Sequence, residues 1–324
     1  MSVKGDLAYL RCPPLRAGHY GPWHTDAPAW RPYVAWVARR HGLRAPGALS
    51  VGFPGCHAVF MTDCGYAVKF YAPYWPNDHA AEADVYGALG ADRALPVPRV
   101  LARGALFPGT DRWPWPYLIT TLLPGRSVEA LRSTLTPGHL LRLARELAPI
   151  VRRLHRLPMP QTGAWRDRVA TLRQTAPARR RRDGWPEELV AALPAYLKQA
   201  PPYQGPARLV HGDIHDAHVL LQADPAGWAI AGLIDFADAI VGDPAYELVP
   251  LYVDLFRCDG GLLKAFLAAY GADPAWGPDW RRRATAYLCL FDNNWLPVLL
   301  ERLPAVAGAR TPEHLEGLLW PGLP

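Results

Sequence analysis

The chain reads as an α+β protein in two lobes, an N-terminal lobe over residues 1–122 built on a five-stranded antiparallel sheet with one helix, and a mainly helical C-terminal lobe over residues 123–324. Three observations predict this. Between residues 48 and 122 short apolar runs alternate with turns rich in Gly, Pro and Asp. Past residue 136 the apolar residues Leu140, Leu143, Ala144, Leu147, Ile150, Val151 and Leu154 recur at helical spacing. From His211 to Phe236 two apolar runs flank a strand–turn–strand, with acids at their ends. A length of 324 residues, half of them apolar, can supply each lobe with its own core.

Taken in order, a Pro-rich lead precedes a helix from Trp30 to His41, which Gly42 ends. Ala48–Phe53, His57–Met61 and Tyr66–Tyr71 then read as strands, with Pro54-Gly55 and Asp63-Cys64-Gly65 as turns. The first turn, Gly52-Phe53-Pro54-Gly55, resembles a short loop that covers a nucleotide, with Phe53 and Gly55 as its contacts, although the same residues would suit any hairpin. The third strand is apolar except for Lys69, and a helix from Asn77 or Asp78 brings Glu82 thirteen residues later. A strand Lys held by a helix Glu is how phosphates are fixed in nucleotide-binding folds of this layout. Val97–Phe107 and Trp115–Leu122 complete the sheet, and Leu123-Pro124-Gly125-Arg126 leaves it as a hinge, where backbone groups of Thr121 and Leu123 would hold a base edge.

In the second lobe Thr136 caps a helix with Pro137 at its first position, and helices follow at about Pro186–Lys198, Gly260–Tyr270 and Asp279–Leu303, the last interrupted at Pro297. Arg179-Arg180-Arg181-Arg182 reads as a solvated helix end or loop.

The chemistry concentrates in His211-Gly212-Asp213-Ile214-His215-Asp216-Ala217-His218 and Leu233-Ile234-Asp235-Phe236. Asp213 follows an apolar run and precedes a turn, which suits a base for an attacking hydroxyl; Asp235 closes a second run, where a magnesium ligand belongs. Phosphoryl transfer to a hydroxyl needs these two roles. The second metal ligand of such loops is normally Asn, and here it is His218, an imidazole where magnesium prefers oxygen. His218 is therefore read as a ligand at an altered second metal site, with a phosphate- or water-bonded polar group, or lost catalysis, as the alternatives. His211 and His215 are expected to brace the loop by hydrogen bonds.

The motifs His211-Gly212-Asp213-x-His215, Ile234-Asp235-Phe236 and Gly242-Asp243 resemble the aminoglycoside phosphotransferase family, which has a protein-kinase-like bilobal fold. Val68-Lys69-Phe70, Val97-Pro98-Arg99, Trp113-Pro114-Trp115-Pro116-Tyr117-Leu118, Leu154-His155-Arg156 and Asp183-Gly184-Trp185 extend the resemblance toward the hygromycin B 7″-O-phosphotransferases. It implies an enzyme with a nucleotide-binding N-terminal lobe and a catalytic, substrate-binding C-terminal lobe. It further implies ATP, with GTP open, and Mg2+, with Asp213 as base, Asp235 on metal and Lys69 on phosphates. The implied product is an O-phosphorylated aminoglycoside, most specifically hygromycin B, and the implied role is antibiotic resistance. For such a cationic acceptor the expected contacts are Asp216, Asp238, Asp292 and Trp295. The alternatives are a metabolic kinase of another small hydroxylated molecule and a catalytically weak nucleotide-binding pseudokinase.

Charge supports an acidic site within a basic chain. The net charge is +6, yet Leu209–Phe256 holds eight acids and no Lys or Arg, and distant charges are screened beyond about 8–10 Å. A small cation or a metal-bound phosphate is the expected partner, and nucleic acid is not. Five scattered cysteines and the lack of a long apolar run predict a cytoplasmic protein without disulfide framework, zinc cluster or membrane span, and a monomer is expected.

Overall fold

The computed structural model describes residues 21–52, 55–109, 113–159, 164–225 and 227–323. The chain divides into two compact units that part between Pro124 and Gly125, with Ala94–Pro96 belonging to the second.

The first unit contains helix α1 (Ala27–Arg40), strands β1 (Leu49–Val51), β2 (Ala58–Thr62) and β3 (Tyr66–Phe70), helix α2 (Asp78–Leu89), and strands β4 (Val100–Ala105) and β5 (Pro116–Thr121). The five strands form an antiparallel sheet in the order β1-β2-β3-β5-β4. This is the expected sheet. β4 is shorter than its apolar run because Pro98, which has no N–H to give a ladder, precedes it. Alternate residues of β2 and β3 are buried, and one face receives α1, whose Trp30 lies with its ring 4.7 Å from Phe70 and 5.5 Å from Trp115. Period-two burial of Tyr66, Val68 and Phe70 in that core turns Lys69 to the opposite face.

The second unit opens with the two-residue strand β6 (Arg126–Ser127) and continues with helices α3 (Pro137–Leu154), α4 (Ala164–Arg182) and α5 (Glu187–Gln199). Strands β7 (Arg208–Val210), β8 (Val219–Asp224), β9 (Gly227–Leu233) and β10 (Ile240–Gly242) follow, then helices α6 (Gly260–Tyr270), α7 (Trp280–Leu290), α8 (Leu296–Arg302) and α9 (Pro312–Leu319). β7 pairs with β10, and β8 lies between β6 and β9. α3 begins as expected: the Thr136 hydroxyl accepts from His139 N–H at 3.2 Å, and the His139 ring closes the box on Thr136 N–H.

Two expectations are corrected. The 179–182 arginines end α4, and only part of the run is solvated: Arg180 is fully buried and donates to the carbonyls of Phe291 and Asn293, while Arg179 reaches those of Leu290 and Phe291. The C-terminal helix is two helices, and the break is at Phe291–Trp295, where Phe291 is extended. Pro297 sits in the first turn of α8, where a missing N–H does no harm. Among the described residues no helix is long and apolar enough to cross a membrane.

Candidate active site

In the first unit Lys69 Nζ lies 2.9 Å from Glu82 Oε2, and both side chains are largely buried. The Tyr71 hydroxyl donates to the same carboxylate at 2.6 Å, so Glu82 is held from two sides and fixes the ammonium in turn. Thr121, one of the two residues expected to offer backbone groups to a base edge, gives its N–H to Arg99 O at 2.8 Å, and its hydroxyl oxygen accepts from Arg99 N–H. Sheet pairing takes this N–H, so only the Thr121 carbonyl is left for such a role. Leu122 N–H is also used, by Gly65 O, whereas Leu123 N–H makes no hydrogen bond within the protein among the described residues. Gly55 is exposed in the turn between β1 and β2. Phe53 lies outside the described residues.

In the second unit strand register assembles the site. Asp213 follows β7 and Asp235 follows β9, and the pairing of Val219 with Leu233 sets His218 beside Ile234, whose N–H donates to His218 O at 3.1 Å. Imidazole nitrogen Nδ1 of His218 donates to the Asp213 carbonyl at 2.9 Å, and its Nε2 stands 3.7 Å from Asp235 Oδ2. Asp235 has φ +63°, in the left-handed region that Asp tolerates better than most residues. Gly212 has φ +79°, and a Cβ there would lie 2.7 Å from Asp238 O, so only glycine fits this turn.

The histidines brace the loop as expected. His211 Nε2 donates to Ile234 O at 3.1 Å, and its Nδ1 accepts from Asp213 N–H at 3.3 Å. His215 Nε2 is 3.5 Å from Asp213 Oδ2, and its ring packs at a tilt against that of His218, with centroids 3.8 Å apart. Burial alone would lower the His215 imidazole, but Asp213 and Asp216 on two sides push it up to about 10. Burial would likewise raise the Asp213 carboxyl, and the hydrogen bond from His215 with the charges of the neighbouring histidines instead holds it below the ordinary value. Burial keeps His218 below its usual range, hence neutral at pH 7. Asp213, still 24% exposed at its side chain, is thus an ionised acceptor that can orient a hydroxyl and take its proton as the new bond forms.

Asp235 carboxylate and His218 imidazole form the donor set for a cation. A neutral imidazole anchored by its other nitrogen on a backbone carbonyl is the usual arrangement of a metal-binding histidine, so a divalent cation fits these residues. When bound, such an ion would neutralise charge on nucleotide phosphates.

Sequence reasoning missed Glu247 as a functional residue. It is fully buried, and its two carboxylate oxygens accept from His211 N–H at 2.7 Å and Gly212 N–H at 3.1 Å, which clamps the backbone leading into Asp213. Its signal was a Glu in an otherwise apolar stretch, Ala245-Tyr246-Glu247-Leu248-Val249.

The four expected acceptor contacts behave differently from one another. Asp238 is exposed beside the loop, and partial desolvation together with the charges of Asp213 and Asp235 pushes its carboxyl up to about 6. Asp216 is corrected: it is buried, with Arg132 at 3.5 Å and Arg257 at 3.7 Å, and so is an internal ion-pair member. Asp292 is exposed but lies in the link after α7, paired with Arg179 at 2.7 Å and Arg168 at 3.1 Å. Trp295 is corrected too, being 6% exposed with its ring against Phe291, which makes it a core residue.

Comparison with known proteins agrees with this geometry. Residues 57–285 match the model of the phosphotransferase enzyme family. The lysine-specific demethylase JMJ21 of Arabidopsis thaliana is 27% identical over 202 residues, a match that takes in 48% of this chain and only 21% of the plant protein. Among solved structures, the GDP complex of a mutant aminoglycoside 2′-phosphotransferase-IIIa is 19% identical with a TM-score of 0.66, covering 86% of this chain and 99% of its own. A thermostable mutant of aminoglycoside phosphotransferase APH(4)-Ia, in ternary complex with AMP-PNP and hygromycin B, is 18% identical with a TM-score of 0.57, over 88% and 97%. A family match across most of the chain, with the acids of its loop brought together by strand register, means that this chain belongs to the phosphotransferase enzyme family and has its kinase-like fold.

Proposed function

We propose that the chain transfers the γ-phosphoryl group of a nucleoside triphosphate to a hydroxyl of an aminoglycoside-like small molecule, with hygromycin B as the first acceptor to test. The observation that carries the reading is the Asp213 carboxylate, kept ionised by His215 and positioned beside the His218–Asp235 donor pair. Asp213 aligns the acceptor hydroxyl, and its oxygen takes the proton while the oxygen–phosphorus bond forms and the bond to the nucleoside diphosphate breaks. Lys69, held by Glu82, is assigned to the phosphates, Leu123 N–H to the base, and Asp235 with His218 to Mg2+. Asp238 is the carboxylate offered to an acceptor amine. The relative solved with AMP-PNP and hygromycin B shares the fold and supports that acceptor as a candidate.

A second reading, a kinase of a less cationic hydroxylated metabolite, is favoured by the arginines that already engage Asp292 and Asp216. One assay separates the two. Purified protein is given ATP or GTP, Mg2+, and a panel of aminoglycosides and neutral polyols. Phosphate incorporation into an aminoglycoside, reduced by about 10²–10⁴-fold in Asp213→Ala, is the expected result. Incorporation into polyols alone selects the second reading, and turnover that survives Asp213→Ala overturns both.

A further inference from the structure

We propose that His218 biases the metal site of this phosphotransferase toward a borderline first-row transition cation, such as cobalt(II), and away from magnesium. The inference rests on the phosphotransferase reading for the presence of the site, and on four observations for its selectivity.

First, Nδ1 of His218 lies 2.9 Å from the Asp213 carbonyl oxygen. A carbonyl can only accept, so Nδ1 carries the hydrogen, and in the neutral ring the lone pair is at Nε2. Second, that nitrogen faces the Asp235 carboxylate, 3.7 Å from Oδ2. Third, the ring cannot readily turn away, because it is 4% exposed and its centroid lies 3.8 Å from that of His215. Fourth, the register of β8 on β9 fixes its backbone against Ile234. The site therefore holds an imidazole nitrogen and a carboxylate oxygen, where an Asn at this position would present an amide oxygen. Magnesium discriminates against that exchange, since it favours hard oxygen ligands, whereas imidazole suits transition cations.

The test measures metal binding directly. The full chain with ADP is titrated with Co2+, followed by its visible absorption, in competition with Mg2+. The same is done for His218→Gln, whose amide oxygen reaches about as far as Nε2. His218→Asn, whose amide N–H can still donate to the Asp213 carbonyl, is the second variant should Gln disturb the loop. Thermal melting identifies any variant that does not fold.

The expected result is that the ratio of transition-metal to magnesium affinity falls by about tenfold or more on replacement, with a shift of the Co2+ absorption that marks loss of a nitrogen donor. An unchanged ratio and an unchanged Co2+ spectrum would overturn the proposal. Nucleotide dependence reports separately on the parent reading: Co2+ that binds equally well with and without ADP counts against phosphoryl chemistry at this site, while the comparison of wild type with His218→Gln still decides the role of His218.

Discussion

At the scale of single residues, the site depends on one carboxylate that touches no reacting atom. Glu247 accepts from two consecutive backbone N–H groups, His211 and Gly212, in a fully buried position. Replacing it with Gln leaves one oxygen to serve two donors and points an amide N–H at the other. Glu247→Gln should lower stability by about 1–3 kcal/mol, the penalty of one buried unsatisfied group, measured as a shift in urea midpoint. Because the clamp sets the path into Asp213, turnover should fall as well, with the nucleotide KM little changed. A variant with normal turnover would show that Asp213 finds its place without the clamp. His218, by contrast, was conspicuous at once, since an imidazole at an oxygen-ligand position stands out in any reading of the chain.

Among elements, helix α4 shows how an unpromising sequence is made structural. Its buried residues are Leu172, Ala176 and Arg180, spaced by four along one face, and the last is an arginine. The guanidinium of Arg180 donates to Phe291 O at 2.7 Å and to Asn293 O at 2.9 Å, holding the link between α7 and α8. Removing it with Arg180→Ala should cost about 1–3 kcal/mol, because the Asn293 carbonyl loses its donor while Phe291 O keeps the one from Arg179. Arg182→Ala, at an exposed position, should stay within about 0.5 kcal/mol of wild type. Equal effects of the two in chemical denaturation would refute the division of the run into a buried and a solvated part. An apolar-periodicity search misses α4 because its inward face closes on a charged residue whose carbonyl partners lie more than a hundred positions away.

For the molecule as a whole, pH acts on stability through ion pairs that join distant segments. Asp273 meets Arg208 at 2.8 Å, tying the turn after α6 to β7, the strand that leads into the loop of Asp213. Burial would raise the Asp273 carboxyl, but the hydrogen bonds from Arg208 and Ala275 N–H hold it below its ordinary value of 3.8. A depressed folded value means that its contribution is fully present above pH 3.8 and is lost as pH falls through the folded value. The melting temperature of the wild type should therefore drop more steeply below pH 4 than that of Asp273→Asn, with the two curves converging at the acid end. Parallel curves would show that this pair does not carry the acid response.

Local chemistry decided much of this protein in advance. The alternation of short strands and turns predicted the five-stranded sheet, the Thr136-Pro137 start predicted α3, and the acids at the ends of two apolar runs marked Asp213 and Asp235, because turns, caps and strand ends are written in neighbouring residues. The Lys69–Glu82 pair could be read the same way, from period-two burial on one strand and the helix that follows it. What tertiary structure alone decided is how charge is shared. Asp216, Asp292 and Trp295 look like acceptor contacts in one dimension, yet two arginines engage each aspartate and the core takes the tryptophan. Glu247 and Arg180 look incidental and prove to hold the loop and the link. The physical reason is that a buried polar group is settled by whichever partner the fold delivers, and those partners lie far off in the sequence.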